Sequence, residues 1–108
     1  MEKEKIRMLN DNLRVNFIGG QVLMTQGIQA LKENTRHNII EAIRDFEDFD
    51  IEANDPHQEH DFGSVEVDGE KAFFKIDYYD KSMVFASENP ADPSITSRIM
   101  TIMLAHEY

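Results

Sequence analysis

The chain has 108 residues, 11 Lys+Arg against 21 Asp+Glu for a formal net charge of −10, and 41% hydrophobic residues. That is the length of one domain with apolar material for one core, which excludes global disorder. The absence of cysteine excludes a disulfide scaffold, a thiolate zinc site and a Cys nucleophile, and no apolar run approaches the roughly 20 residues of a membrane span.

In chain order, Ile6, Leu9 and Leu13 recur at i, i+3 and i+7 and predict an amphipathic first helix whose apolar face Met8 widens. The charged start Met1-Glu2-Lys3-Glu4-Lys5 has no apolar segment behind it, unlike a signal peptide, and a cytoplasmic location is expected. Val15–Ile18 and Val22–Met24 flank Gly19-Gly20 and predict a small hairpin. Thr25 is placed to cap a short helical turn over Ile28 and Leu31. A clearer helix starts at Asn34 or Thr35, carries Ile39, Ile43 and Phe46 on one face, and ends near Phe46 to Phe49. Residues 50–60 read as a loop with Asn54-Asp55-Pro56 as its turn.

The strongest local pattern spans Phe62 to Tyr79. Asp68-Gly69 favours a type I′ turn between strands at about 62–67 and 70–79. That turn sets Val67 against Glu70, Val65 against Ala72, Gly63 against Phe74 and Glu66 against Lys71. One face then carries Val65, Val67, Ala72, Phe74, Ile76 and Tyr78; the other carries Phe62, Ser64, Glu66, Lys71, Phe73, Lys75 and Tyr79. Met83–Ala86 reads as a third strand. Asp92 as N-cap, Pro93 at the first helical position and the face Ile95, Ile99, Ile102 and Met103 predict a buried C-terminal helix from about Pro93 to Ala105. The expectation is a single α+β domain over residues 1–108, an antiparallel sheet with helices on one face.

Charge is divided unevenly. Residues 1–44 hold 7 Lys+Arg and 5 Asp+Glu, whereas residues 45–108 hold 4 and 16. Asp45, Glu47, Asp48, Asp50, Glu52, Asp55, Glu59 and Asp61 follow one another with no Lys or Arg between them. Such density repels nucleic acid and attracts a basic protein surface.

Several motifs are long and unusual in combination: Asn54-Asp55-Pro56, Glu59-His60-Asp61-Phe62-Gly63, Lys75-Ile76-Asp77-Tyr78-Tyr79-Asp80, Pro90-Ala91-Asp92-Pro93 and Thr101-Ile102-Met103-Leu104-Ala105. Together they resemble a bacterial family known as domain of unknown function 3768, over nearly the whole chain from about Ile6. Phe74 departs from the pattern, which leads one to expect tryptophan. The family resemblance implies no activity. It implies a setting of bacterial chromosomes, plasmids and mobile elements, and hence an accessory or counter-defence role.

Three constellations bear on chemistry. His57, Glu59, His60 and Asp61 supply imidazole and carboxylate, the ligand set of zinc, manganese or iron, but not at the i, i+4 spacing of a helical site. The competing reading has His60 bonding a carboxylate or carbonyl to pin the loop and Asp61 capping the turn. Asp48, Asp50, Glu52 and Glu59 match positions 1, 3, 5 and 12 of a calcium loop, yet Ala53 stands where glycine is needed. Lys75, Asp77, Tyr79 and His60 form a candidate acid–base set on the non-core face of the hairpin. No phosphate-binding glycine loop or dinucleotide fingerprint accompanies them.

Phe62, Phe73 and Tyr79 on that face need either a cover from the N-terminal segment or a partner. The reading that follows is a small acidic binding module. Asp45, Glu47, Asp48, Asp50, Glu52, Asp55 and Glu59 with Phe62, Phe73 and Tyr79 occupy a basic surface on nucleic-acid-handling machinery. An inhibitor of a defence complex (an anti-CRISPR-like mimic of phosphate charge) is its sharpest form. No cofactor, direct nucleic-acid contact or membrane is expected, and a dimer is compatible with the sequence. The alternatives are a metal-assisted or acid–base enzyme centred on His60 and Asp61, and a structural or oligomerising accessory protein.

Overall fold

The computed structural model describes residues 2–108. Helix α1 (Glu2–Asn16) is followed by β1 (Gln21–Met24), the short α2 (Gln26–Gln29), α3 (Glu33–Arg44), β2 (Phe62–Val67), β3 (Glu70–Tyr79), β4 (Ser97–Leu104) and a closing 3-10 turn, Ala105–Glu107. The four strands lie in the order β1-β4-β3-β2. The fold is α+β, and the sheet is mixed: β1 runs parallel to β4, and the other two pairings are antiparallel.

The hairpin forms with the expected register. Val65 faces Ala72, Gly63 faces Phe74 and Glu66 faces Lys71. Asp68 and Gly69 both have positive φ, 54° and 79°, as a type I′ turn requires. Val65, Val67, Ala72, Phe74, Ile76 and Tyr78 turn to the helices with Met100, Ile102 and Leu104 of β4, and Leu13, Ile28, Ile39 and Ile43 close over them. Phe74, in place of tryptophan, is fully buried and meets Phe46 and Phe49 edge to face. Each such side chain withdrawn from water contributes roughly 1.5–3 kcal/mol.

Three expectations are corrected. The segment expected as a helix from Pro93 to Ala105 is strand β4, and the only helical residues at that end are the 3-10 turn. β4 is central and buried on both faces: Ile99 and Met103 on one side are buried, as are Met100 and Ile102 on the other. A strand covered on both sides loses its alternation and reads as a continuous apolar run, which a buried helix also produces. Secondly, Met83–Ala86 is no strand; only a single bridge, Tyr79 to Ala86, remains, and Met83, Val84 and Phe85 are exposed in a turn. Thirdly, residues 15–18 do not form a hairpin with 22–24. Val15 and Asn16 finish α1, and Val22 and Leu23 pair with Met100 and Thr101 of β4 instead. That parallel pairing offers β1 a deeper apolar neighbour than Val15–Ile18 would.

Met8 does not widen the buried face of α1, since it is exposed; the buried stripe is Ile6, Asn10, Leu13 and Arg14. α3 begins one residue before Asn34 and ends at Arg44, and Phe46 beyond it still packs into the core. Among the described residues no helix is long and apolar enough to cross a membrane.

Candidate functional site

The acidic stretch after α3 is an ordered arm rather than a loose tether. Phe46 is buried, and the ring of Phe49 stacks on His60 with centroids 3.8 Å apart and planes 4° from parallel. Between them and the hairpin the backbone ties itself down. The amide of Asp50 donates to Asn54 Oδ1 (2.8 Å), that of Glu52 donates to Asp50 Oδ1 (2.8 Å), and Asn54 Nδ2 donates to the carbonyl of Asp48 (3.1 Å). These are the side-chain-to-backbone turns that Asn and Asp favour. Asp45, Glu47, Asp48, Asp50 and Glu52 are left exposed on the outside.

Asp55 points the other way. Only 3% exposed, it accepts the amides of Glu59 and His60 at 2.9 and 3.0 Å and so fixes the return of the chain into β2. The calcium-loop spacing does not assemble among the described residues: Asp50 is used in its own turn, Asp48 and Glu52 point to the outside, and the fourth member turns inward. Glu59 faces inward too and accepts the Tyr78 hydroxyl at 2.8 Å. His60 places Nδ1 2.8 Å from Asp11 Oδ1 and Nε2 3.8 Å from Asp55 Oδ2, pinning the arm to α1. His57, Glu59, His60 and Asp61 thus diverge, and among the described residues no group of three or more His, Asp or Glu side chains converges as metal ligands would.

Asp61 lines a separate cleft of about 310 Å³ with Asn54, Pro56, His57, Phe62, Lys75, Ile76, Asp77 and Tyr108. Lys75 Nζ lies 3.1 Å from Asp77 Oδ2, two residues along the same strand face, and that carboxylate holds the Lys75 ammonium above its ordinary range. Burial pushes the Asp61 carboxyl up, its own amide partly opposes this, and Glu59 and Asp55 push it further. Of the expected set, Lys75, Asp77 and Tyr79 share one face of β3, but His60 is not brought to them, since it is tied to Asp11 of α1. Phe62 and Phe73 do sit together, ring centroids 5.2 Å apart. Their cover is Tyr108, edge-on to both at 5.8 and 5.5 Å, and not the N-terminal segment.

Sequence reasoning missed the polar cluster beneath the arm. Arg98, 2% exposed on the helix side of β4, donates from Nε to Asn10 Oδ1 (2.7 Å) and from its other end to the carbonyl of Pro90. Its guanidinium lies 5.2 Å from the centre of the Tyr78 ring. Asn10 Nδ2 donates to the Tyr78 hydroxyl (2.8 Å) and to the carbonyl of Glu59 (2.9 Å). Burial is the main cause that pushes the Tyr78 phenol up and pulls the Arg98 guanidinium down. Among the described residues no buried side-chain nitrogen or oxygen of this cluster lacks a partner, so it locks α1, β3, β4 and the arm together. The one available signal was a lone arginine inside an apolar run.

The motifs Asn54-Asp55-Pro56, Glu59–Gly63 and Lys75–Asp80 therefore meet in space around one cleft and its buried support. No curated protein and no solved structure matches the chain. A family model described as "Protein of unknown function (DUF3768)" matches residues 24–107, from the end of β1 to the turn that closes the chain. With that match over well more than half of its length, the chain belongs to the DUF3768 family.

Proposed function

We propose that this protein is a non-enzymatic binding module whose acidic arm docks on a basic protein surface. A single observation carries the reading. Five carboxylates, Asp45, Glu47, Asp48, Asp50 and Glu52, are exposed on a segment held in one conformation by its own turns and by Phe46, Phe49 and Asp55. Like charges at this density raise the energy of the folded chain. A rigid display of them repays that cost when a positive surface arrives, because the charges are already in place and little order remains to be imposed. Machinery that handles nucleic acid presents such a surface, and an inhibitor that stands in for phosphate is the sharpest form of this reading.

The test begins with cross-linking in the source cell and purification of the partner, followed by association kinetics. Glu47, Asp48 and Glu52 are the residues to reverse to Lys, since their side chains are exposed and make no hydrogen bond among the described residues. The triple variant is expected to associate more slowly, with a shallower dependence on salt, and to unfold no sooner than the wild type. Wild-type association across the whole salt series would overturn the proposal.

A further inference from the structure

We infer that the cleft beside Asp61 seats the guanidinium of an arginine side chain presented by the basic partner. The inference rests on the docking reading and gives it an anchor.

Charge selects a cation. Lys75 and Asp77 neutralise one another at 3.1 Å, so Asp61 is the remaining carboxylate of the lining, with Asp55 and Glu59 close behind it and His57 offsetting only part of the negative charge. The Asp61 carboxylate is half-buried and accepts no side-chain donor among the described residues. Its own amide is the donor it keeps, so a carboxylate that has lost part of its water still has lone pairs open to an incoming donor.

Shape selects a flat cation. Phe62 and Tyr108 form two aromatic walls at 86° to one another, 5.8 Å between centroids. A planar guanidinium can lie against such a ring while its fork of N–H groups reaches both oxygens of one carboxylate; an ammonium is a compact and strongly hydrated point charge. Position selects a protein source. Asn54, Pro56 and His57 of the cleft are the continuation of the acidic arm, so exposed acids that steer a basic surface stand next to a pocket that takes one of its side chains. An arginine in a small aromatic-lined pocket is a frequent centre of binding energy at interfaces.

The test uses the full chain labelled with nitrogen-15 and three blocked pentapeptides, each with a single arginine, lysine or citrulline among glycines. The arginine peptide is expected to shift the amides of Asp61, Phe62 and Tyr108 saturably, about threefold or more tighter than the lysine peptide, with citrulline inert. Asp61→Asn should weaken arginine binding by about tenfold or more. Because the Asp61 side chain bonds no other residue among the described ones, and its carbonyl still accepts the Ile76 amide in the variant, Asp61→Asn should keep the native amide spectrum around Tyr78 and Arg98. Tyr108→Ala, which removes a wall and leaves the charge, should weaken binding several-fold.

Absence of saturable shifts, equal binding by citrulline, or wild-type affinity in Asp61→Asn would overturn the inference. The triple reversal in the arm should leave pentapeptide binding nearly intact, because the peptide is too short to reach it. An arm variant that slows partner association while the cleft ignores arginine removes only the anchor. A cleft that takes arginine while the arm is indifferent to the partner strikes the docking reading instead.

Discussion

Arg14 and Arg44 cap one another's helices. The Arg14 side chain of α1 donates from one terminal nitrogen to the carbonyls of Ile43, Arg44 and Phe46 (3.0, 3.1 and 2.9 Å) at and just beyond the end of α3, where helix acceptors run out of amide partners. Arg44, in the last turn of α3, returns Nε to the carbonyl of Val15 at 2.8 Å, at the end of α1. Each guanidinium also brings positive charge to the negative end of the other helix dipole. Arg14 lies over Phe49 and Phe74 as well, so the same side chain ties the base of the acidic arm to the core.

Arg14→Met keeps much of the stem and deletes the donors. The carbonyls of Arg44 and Phe46 lose their donor, the second of them buried, while that of Ile43 keeps the Phe46 amide; the variant should cost about 2–4 kcal/mol in a denaturant titration. Arg44→Met, at a half-exposed position, should cost about 1 kcal/mol or less. Equal losses at the two sites would contradict the assignment of the buried cap to Arg14.

Asn10 is the hub of the polar cluster, and its place on the buried stripe of α1 separates it from Met8. Asn10→Leu should cost about 2–4 kcal/mol, since it strips Arg98 Nε, the Tyr78 hydroxyl and the Glu59 carbonyl of a partner at once. Met8→Ala on the same helix should stay within about 0.5 kcal/mol of wild type. Unfolding midpoints of the two variants check both statements.

At the hairpin turn the space beside Gly69 is open, so only its φ of 79° restricts the residue there. Gly69→Val should therefore destabilise by about 1 kcal/mol or more through backbone strain alone. Gly69→Asn should be milder, because asparagine tolerates the left-handed region. An unchanged midpoint for the valine variant would contradict the turn.

Glu107 joins the end of the chain to α2. It accepts Thr25 Oγ1 at 2.6 Å, the amide of Leu104 at 2.8 Å and the amide of Gly27 at 3.0 Å. The Thr25 hydroxyl, first among these donors, holds the Glu107 carboxyl below its ordinary value of 4.5. A carboxyl depressed in the folded state adds stability that is fully present above pH 4.5 and is lost as pH falls through the lower folded value. Glu107→Gln should thus unfold earlier than wild type at neutral pH, and the two midpoints should converge on acidification below 4.5. Parallel curves throughout would show that the charge does not matter. Gly27 is required for the approach, since a Cβ there would stand 2.6 Å from Glu107 Oε1.

What was legible in the sequence was what neighbouring residues decide among themselves. The turn pair Asp68-Gly69 carries its own backbone preference and, with alternation on either side, set the register of β2 and β3 and the face that Phe74 and Ile76 bury. Ile39 and Ile43 marked α3 by spacing alone. That His60 bonds a carboxylate to pin its loop was readable too, though not which one: its partner Asp11 lies 49 positions away on α1. The rest belongs to contacts between residues far apart in the chain. Whether Ile99 to Leu104 is helix or strand depends on β1 and β3 being present on both sides to complete its hydrogen bonds, and on covers above and below. Arg98 meets Asn10 across 88 positions, and Glu107 meets Thr25 across 82. Local periodicity has no access to such pairs: a polar residue in an apolar stripe reads as a defect until the tertiary structure supplies the partner that makes its burial favourable.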